Sequence, residues 1–186
     1  MEADWEFEVG GDAPVIDAHW SGFVDLQNAP ERALELAEVA QFPALADALA
    51  KLNAASSPVW TSKCDVWEHV DLEAVDADEL DAPSDCFAHP IGCYIDLLPK
   101  SDQPWPLPDV AANQCRQVCN RLHEIPLRCC RVDLVIRRAF LVPDVMDLGI
   151  TAYLTSCGAS SLESARTLSA ALAAFPGAIN PRSTSE

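Results

Sequence analysis

The stretch from Cys129 to Cys157, CCRVDLVIRRAFLVPDVMDLGITAYLTSC, constrains the fold more than any other part of the chain. Cys130, Val132, Leu134 and Ile136 alternate with Arg131, Asp133, Val135 and Arg137. Further on, Ile150, Ala152 and Leu154 alternate with Thr151, Tyr153 and Thr155. Successive side chains of a strand point to opposite faces, so this period of two predicts a half-buried β-hairpin. One face of the hairpin needs an apolar core against it, and the other carries charge.

The remaining segments supply that core. Trp5, Phe7 and Val9 alternate with Asp4, Glu6 and Glu8, which predicts a first strand ended by Gly10-Gly11 and Pro14. Residues 15–26 are rich in apolar side chains but keep no period, and are read as irregular chain or a short strand. Asn28, as an N-cap before Pro30 and Glu31, predicts a helical stretch to about Asn53, broken by Pro43, with Leu45, Leu49 and Leu52 as its second stripe. Residues 59–68 form a strand pattern, with Trp60, Cys64 and Val66 on one face and Thr61, Lys63, Asp65 and Trp67 on the other. Residues 91–98 form another, with Ile91, Cys93, Ile95 and Leu97 opposed to Tyr94 and Asp96. Pro108 and Asp109 open a helix whose apolar face is Ala111, Cys115, Val118, Cys119 and Leu122. Ser160 and Glu163 form a capping box for a last helix, expected to close near Pro176-Gly177.

This order predicts an α+β fold with an antiparallel or mixed sheet of about five strands and helices packed on one face. A helix followed by a hairpin occurs twice, and Lys63-Cys64-Asp65-Val66 aligns with Arg131-Val132-Asp133-Leu134. A ferredoxin-like or related αββ-repeat sandwich is therefore expected. Residues 1–179 are read as a single domain and 180–186 as a disordered tail. Residues 68–90 are read as an acidic loop insertion. The run from Glu68 to Asp85 holds Asp71, Glu73, Asp76, Asp78, Glu79 and Asp81 with no Lys or Arg, and is expected to be solvated and mobile.

The formal net charge of −17 argues against a nucleic-acid backbone as partner. No apolar run approaches the ~18 residues of a membrane span. The acidic start, MEADWEFEVGGD, lacks the basic and apolar regions of a secretory signal. Eight cysteines in a chain of this size, several in packing patterns, point to a reducing cytoplasm rather than a disulfide framework.

The strongest candidate site is the polar face of the sheet, to which Lys63, Asp65, Asp96, Arg131, Asp133, Arg137 and Tyr153 should point. The arginines suit an anion held bidentately. Half of all Lys and Arg lie in the run Arg116, Arg121, Arg128, Arg131, Arg137 and Arg138, so a small anionic ligand or an acidic protein partner is expected, or else docking of the acidic loop. The same face could pair two copies of the chain.

The leading reading is a ligand- or protein-binding module, with no cofactor. The alternative is a small enzyme. It would be either carboxylate–metal dependent through Asp65, Asp96 and Asp133, or thiol dependent through Cys157, which precedes a helix start. Cys86, His89 and Cys93, completed by Cys64 or His69, have zinc-like spacing but no paired Cys-x-x-Cys. Cys115, Cys119 and His123 could align on one helix, where packing explains them better. Phosphate-loop, nucleophile-elbow and His-Glu-x-x-His motifs are absent from the sequence.

Overall fold

The computed structural model describes residues 1–69, 75–84, 86–100, 105, 107–142 and 145–181. The elements are β1 (Glu2–Glu8), β2 (Val15–Asp17), a 3-10 turn (Pro30–Glu35), α1 (Ala37–Gln41), α2 (Ala44–Asn53), β3 (Val59–Glu68), β4 (Ile91–Pro99), α3 (Pro108–His123), β5 (Cys130–Val142), β6 (Val145–Ser156) and α4 (Ser161–Ile179). They form an α+β structure around one mixed, open, six-stranded sheet in the order β1-β5-β6-β4-β3, with β2 also paired to β5. β3 with β4, β4 with β6 and β6 with β5 pair antiparallel. β1 and β2 lie in series along the outer edge of β5, both parallel to it.

One face of the sheet meets the helices, as the alternation requires. Cys93, Ile95, Leu97, Val132, Leu134, Ile136, Ile150, Ala152 and Leu154 share a core with Leu45, Leu49 and Leu52 of α2. The same core takes Cys115, Val118 and Leu122 of α3 and Leu168, Leu172 and Phe175 of α4.

Several expectations change. Asn28 is not a helix cap: it binds back to Asp25 Oδ2 at 2.7 Å, while Asp25 Oδ1 accepts from the backbone of Gln27 and Asn28. That local turn uses up the polar groups, and the following chain forms a 3-10 turn with no side-chain cap. A register shift between Thr61 and Cys64 is a β-bulge, which reverses the faces of the residues before it. Thr61 therefore joins Cys64 and Val66 on the helix side, where its backbone N–H donates to Asn53 Oδ1 at 3.1 Å. Trp60 joins Lys63, Asp65 and Trp67 on the second face. Helix α4 does not stop at Pro176-Gly177 but runs through them to Ile179. Asn180, expected to begin a tail, is 9% exposed and donates to the Ser56 carbonyl at 2.9 Å. Residues 182–186 lie outside the described residues.

The acidic segment is not wholly solvated. Leu80 is 1% exposed, and its neighbours are tied to the hairpin: Asp81 accepts from Arg128 Nε at 2.7 Å and Glu79 lies 3.2 Å from Arg131. Asp71 and Glu73 lie outside the described residues.

Candidate functional site

The second face of the sheet has two zones. At the Trp60 end it is covered. The chain after β2 folds over it, and Ile16, Ala18 and Phe23 pack with Trp60, Leu98 and Ala139 in a small second core. His19 stacks on Trp60 with ring centroids 5.9 Å apart. The aperiodic apolar residues of 15–26 are the material of this cover. Beyond it the face carries half-buried polar and aromatic side chains.

Cross-strand register orders them into rows. One row runs Asp4, Asp133, Tyr153, Tyr94, Asp65 across all five principal strands. The next contains Glu6, Val135, Thr151 and Asp96. On the other side lie Glu2, Arg131, Thr155, Gly92 and Trp67. Cross-strand partners share a face, so the seven residues singled out from the sequence do share one surface. They do not form one cluster.

Two networks and one isolated carboxylate result. In the first, Arg137 donates from Nε to Glu8 at 2.9 Å, and from Nη1 to Tyr153 Oη at 2.9 Å and Thr151 Oγ1 at 3.1 Å. Thr151 in turn donates to Asp96 Oδ1 at 2.6 Å. The Arg137 side chain is only 13% exposed, although it lies on the charged face of the hairpin. Asp96 is 6% exposed, and burial raises its pKa against the pull of Thr151, Lys63 and Arg137. Lys63 has its ammonium 5.3 Å from the ring centroid of Trp20.

In the second network Arg131 binds Asp133 at 2.7 Å, Glu79 at 3.2 Å and Asp4 at 3.9 Å. Burial raises the Asp133 pKa in spite of Arg131. Asp65 is exposed, at the β3 edge, and accepts from the Val66 backbone at 2.8 Å. Asp65 and Asp133 are separated by β4 and β6, about 14 Å at ~4.8 Å per strand, so the three aspartates do not converge on one ion.

Three aromatic residues complete the surface. Trp67 and Tyr94 have ring centroids 6.2 Å apart, and Tyr94 and Tyr153 6.1 Å. All three are half-buried. Burial, aided by Asp96 and Asp65, pushes the Tyr94 phenol up to about 12. Gly92 makes room for the row: a Cβ there would stand 2.5 Å from the Trp67 ring and 2.9 Å from His69 Nε2. That nitrogen is buried with no hydrogen-bond partner among the described residues, and burial lowers the His69 pKa. Of these residues, the alternation of β3 and β4 puts Trp67 and Tyr94 on the polar face, yet neither stands among the residues picked for their charge. Glu8 and Glu79 carried no local signal, because their partners are distant in the chain.

The thiol candidates fare differently. Cys157 is 1% exposed, its Sγ donates to the Cys129 carbonyl at 3.8 Å, and burial pushes it up to about 12, opposite to an activated nucleophile. Cys93 lies in the helix-side core, whereas His69 and His89 line a pocket of about 250 Å³ with Glu68, Ser161 and Ser164. Among the described residues, no three His, Cys, Asp or Glu side chains are grouped to hold a metal ion. Cys115 and Cys119 are buried in the stripe of α3, with both thiol pKa values raised by burial. Among the described residues, no helix is long and apolar enough to cross a membrane. No family model, curated protein or solved structure matches the chain.

Proposed function

We propose that this protein is a binding module whose working surface is the zone of the second sheet face that the described residues leave uncovered, and that this surface takes a positively charged ligand. The observation that carries the reading is the half-buried row of Trp67, Tyr94 and Tyr153, set among carboxylates on rigid strands. Aromatic faces attract cations, and carboxylates nearby add to that attraction. The basic residues of the face are already engaged: Arg137 by Glu8, Arg131 by three carboxylates, Lys63 over Trp20.

An anionic ligand or acidic partner, the expectation from the arginine run, would have to displace Glu8, Glu79 or Asp133 from those arginines. Pairing two copies through this face would bring like charges together. A carboxylate–metal or thiol enzyme finds less support still, given the separated aspartates and the buried Cys157.

The reading includes a duplicated αββ unit and a ferredoxin-like relationship. What supports it is the order β3-β4-β6-β5, in which β6 lies between β4 and β5 as in a split βαβ unit, with β3 at the N-terminal instead of the C-terminal end of that unit. A cytoplasmic location is supported by Cys93, Cys115, Cys119, Cys130 and Cys157, which are buried as thiols instead of forming a disulfide framework.

The test is a titration of ¹⁵N-labelled protein with octalysine and, separately, octaglutamate, followed by NMR. The expected result is that octalysine shifts the Trp67 indole and the Tyr94 and Tyr153 amides first and octaglutamate leaves them unmoved. The reverse pattern would replace this reading with the anionic one.

A further inference from the structure

The two αββ halves meet between β4 and β6, and the register places equivalent residues on either side of that boundary. Asp65 pairs with Tyr94 in one half, Asp133 pairs with Tyr153 in the other, and Tyr94 pairs with Tyr153 at the centre. The alignment of Lys63-Cys64-Asp65-Val66 with Arg131-Val132-Asp133-Leu134 is the sequence trace of this arrangement. The result is a symmetric row, Asp65-Tyr94-Tyr153-Asp133, with a carboxylate at each end and two aromatic faces in the middle.

Adjacent strands are ~4.8 Å apart, so the two carboxylates stand about 14 Å apart. An ammonium held by each at ~2.8 Å leaves about 8–9 Å between the two nitrogens. An alkyl chain of six carbons spans that gap, and its methylenes would lie over the tyrosines. Tyr153 already borders a cation. The Arg137 guanidinium sits 5.5 Å from the Tyr153 ring centroid while donating to its hydroxyl. Tyr94 has no equivalent cation contact among the described residues. The site's width argues for a small ligand: the Ile16–Phe23 cover closes one side of the uncovered zone, and Glu79, docked on Arg131, flanks the other.

We propose that this row is a two-point site for a linear dication, an α,ω-diamine or a polyamine containing that spacing, lying across the strands. The proposal rests on the reading of this face as a cation-binding surface and adds to it a defined length and two defined anchors. Asp65 is exposed, and at the other end Asp133, Asp4 and Glu79 outnumber the single Arg131 they share. The ligand therefore meets carboxylate at both ends without displacing an arginine.

The experiment is an NMR titration of the labelled full chain with 1,3-diaminopropane, 1,6-diaminohexane, 1-aminohexane and 1,6-hexanediol at low salt. The six-carbon diamine is expected to bind about fivefold more tightly than the three-carbon diamine or the monoamine, with shifts concentrated on Asp65, Tyr94, Tyr153 and Asp133. The diol should not bind. Asp65→Asn, at an exposed position where folding is not at stake, should bring the diamine down to the affinity of the monoamine. Equal binding of all three amines, or shifts concentrated on Asp76 and Asp78 of the acidic segment, would overturn the two-point site. If octalysine shifts the aromatic row while the diamines show no length preference, the cation-binding face stands and the two-point site falls. If neither probe moves the row, both fall.

Discussion

Replacing Arg137 by Ala tests whether the second face is a solvated surface or a packed one. Its guanidinium satisfies Glu8, Thr151 and Tyr153 together, and 13% of the side chain meets solvent. An exposed ion pair contributes at most ~1 kcal/mol, whereas breaking a fully buried one costs ~3–5 kcal/mol. Here one partner is nearly buried and the other, Glu8, is 41% exposed and can recover water. Thr151 keeps Asp96 as its acceptor, and the half-buried Tyr153 hydroxyl can reach solvent. The loss should therefore fall between the two limits, at about 2–3 kcal/mol. Urea unfolding should show it as a lower midpoint with unchanged slope, and calorimetry as a fall in Tm of roughly 5–10 °C for a chain of this size. A cycle with Glu8→Ala should give a coupling of about 1 kcal/mol. Leu134→Ala, in the helix-side core, sets the scale at about 2–5 kcal/mol. A loss below ~0.5 kcal/mol for Arg137→Ala, or strict additivity with Glu8→Ala, would show that the network contributes nothing and that this zone is ordinary solvated surface.

Three further outcomes follow from the same structure. Because burial raises the Asp96 pKa in the folded state, its ionisation costs stability as the pH rises from the unfolded value near 4 through the raised one; wild type should lose ground relative to Asp96→Asn as the pH rises above about 4 in urea melts, and parallel profiles would refute the burial argument. Leu80→Ala should cost about 2–3 kcal/mol, since that side chain is 1% exposed, and a negligible change in the unfolding midpoint would return the acidic segment to a purely solvated role. A thiol reagent applied to native protein at pH 8 should modify Cys86 and Cys129 before any other cysteine, because burial raises the pKa values of Cys64, Cys93, Cys115, Cys119, Cys130 and Cys157; early labelling of Cys157 would contradict the packing described.

The parts of the fold that were legible in the sequence are those written by local period. β5 and β6 alternate over long runs, so their helix-side residues and their polar residues separate by inspection. The faces of Trp60 and Thr61 could not be read, because a single extra residue in the bulge reverses parity without any marker in composition. The burial of Arg137 and Asp96 was hidden for another reason. It depends on β1 supplying Glu8 and on the segment after β2 folding back over the sheet, and neither pairing has a local signature. The acidic segment misled because one leucine among many carboxylates is enough to anchor it when arginines stand opposite. Choosing site residues by charge picked out Asp65 and Asp133 but passed over Tyr94, which stands between Asp65 and Tyr153 in the row.

The placement of β1 has a consequence for how the chain is made. Glu8 pairs with a residue 129 positions later, and the whole of β1 is parallel to β5. At ~5–20 residues per second, ribosomal synthesis leaves this strand without its partner for of order ten seconds. Throughout that interval Trp5 and Phe7 are an unpaired apolar stripe, the kind that recruits the same segment of a neighbouring nascent chain. Asp4, Glu6 and Glu8 stand between and beside them at every second position. Strands brought together in register would align these carboxylates against one another, so the acidic side of β1 acts first as a gatekeeper against self-association and only later as one edge of the finished sheet.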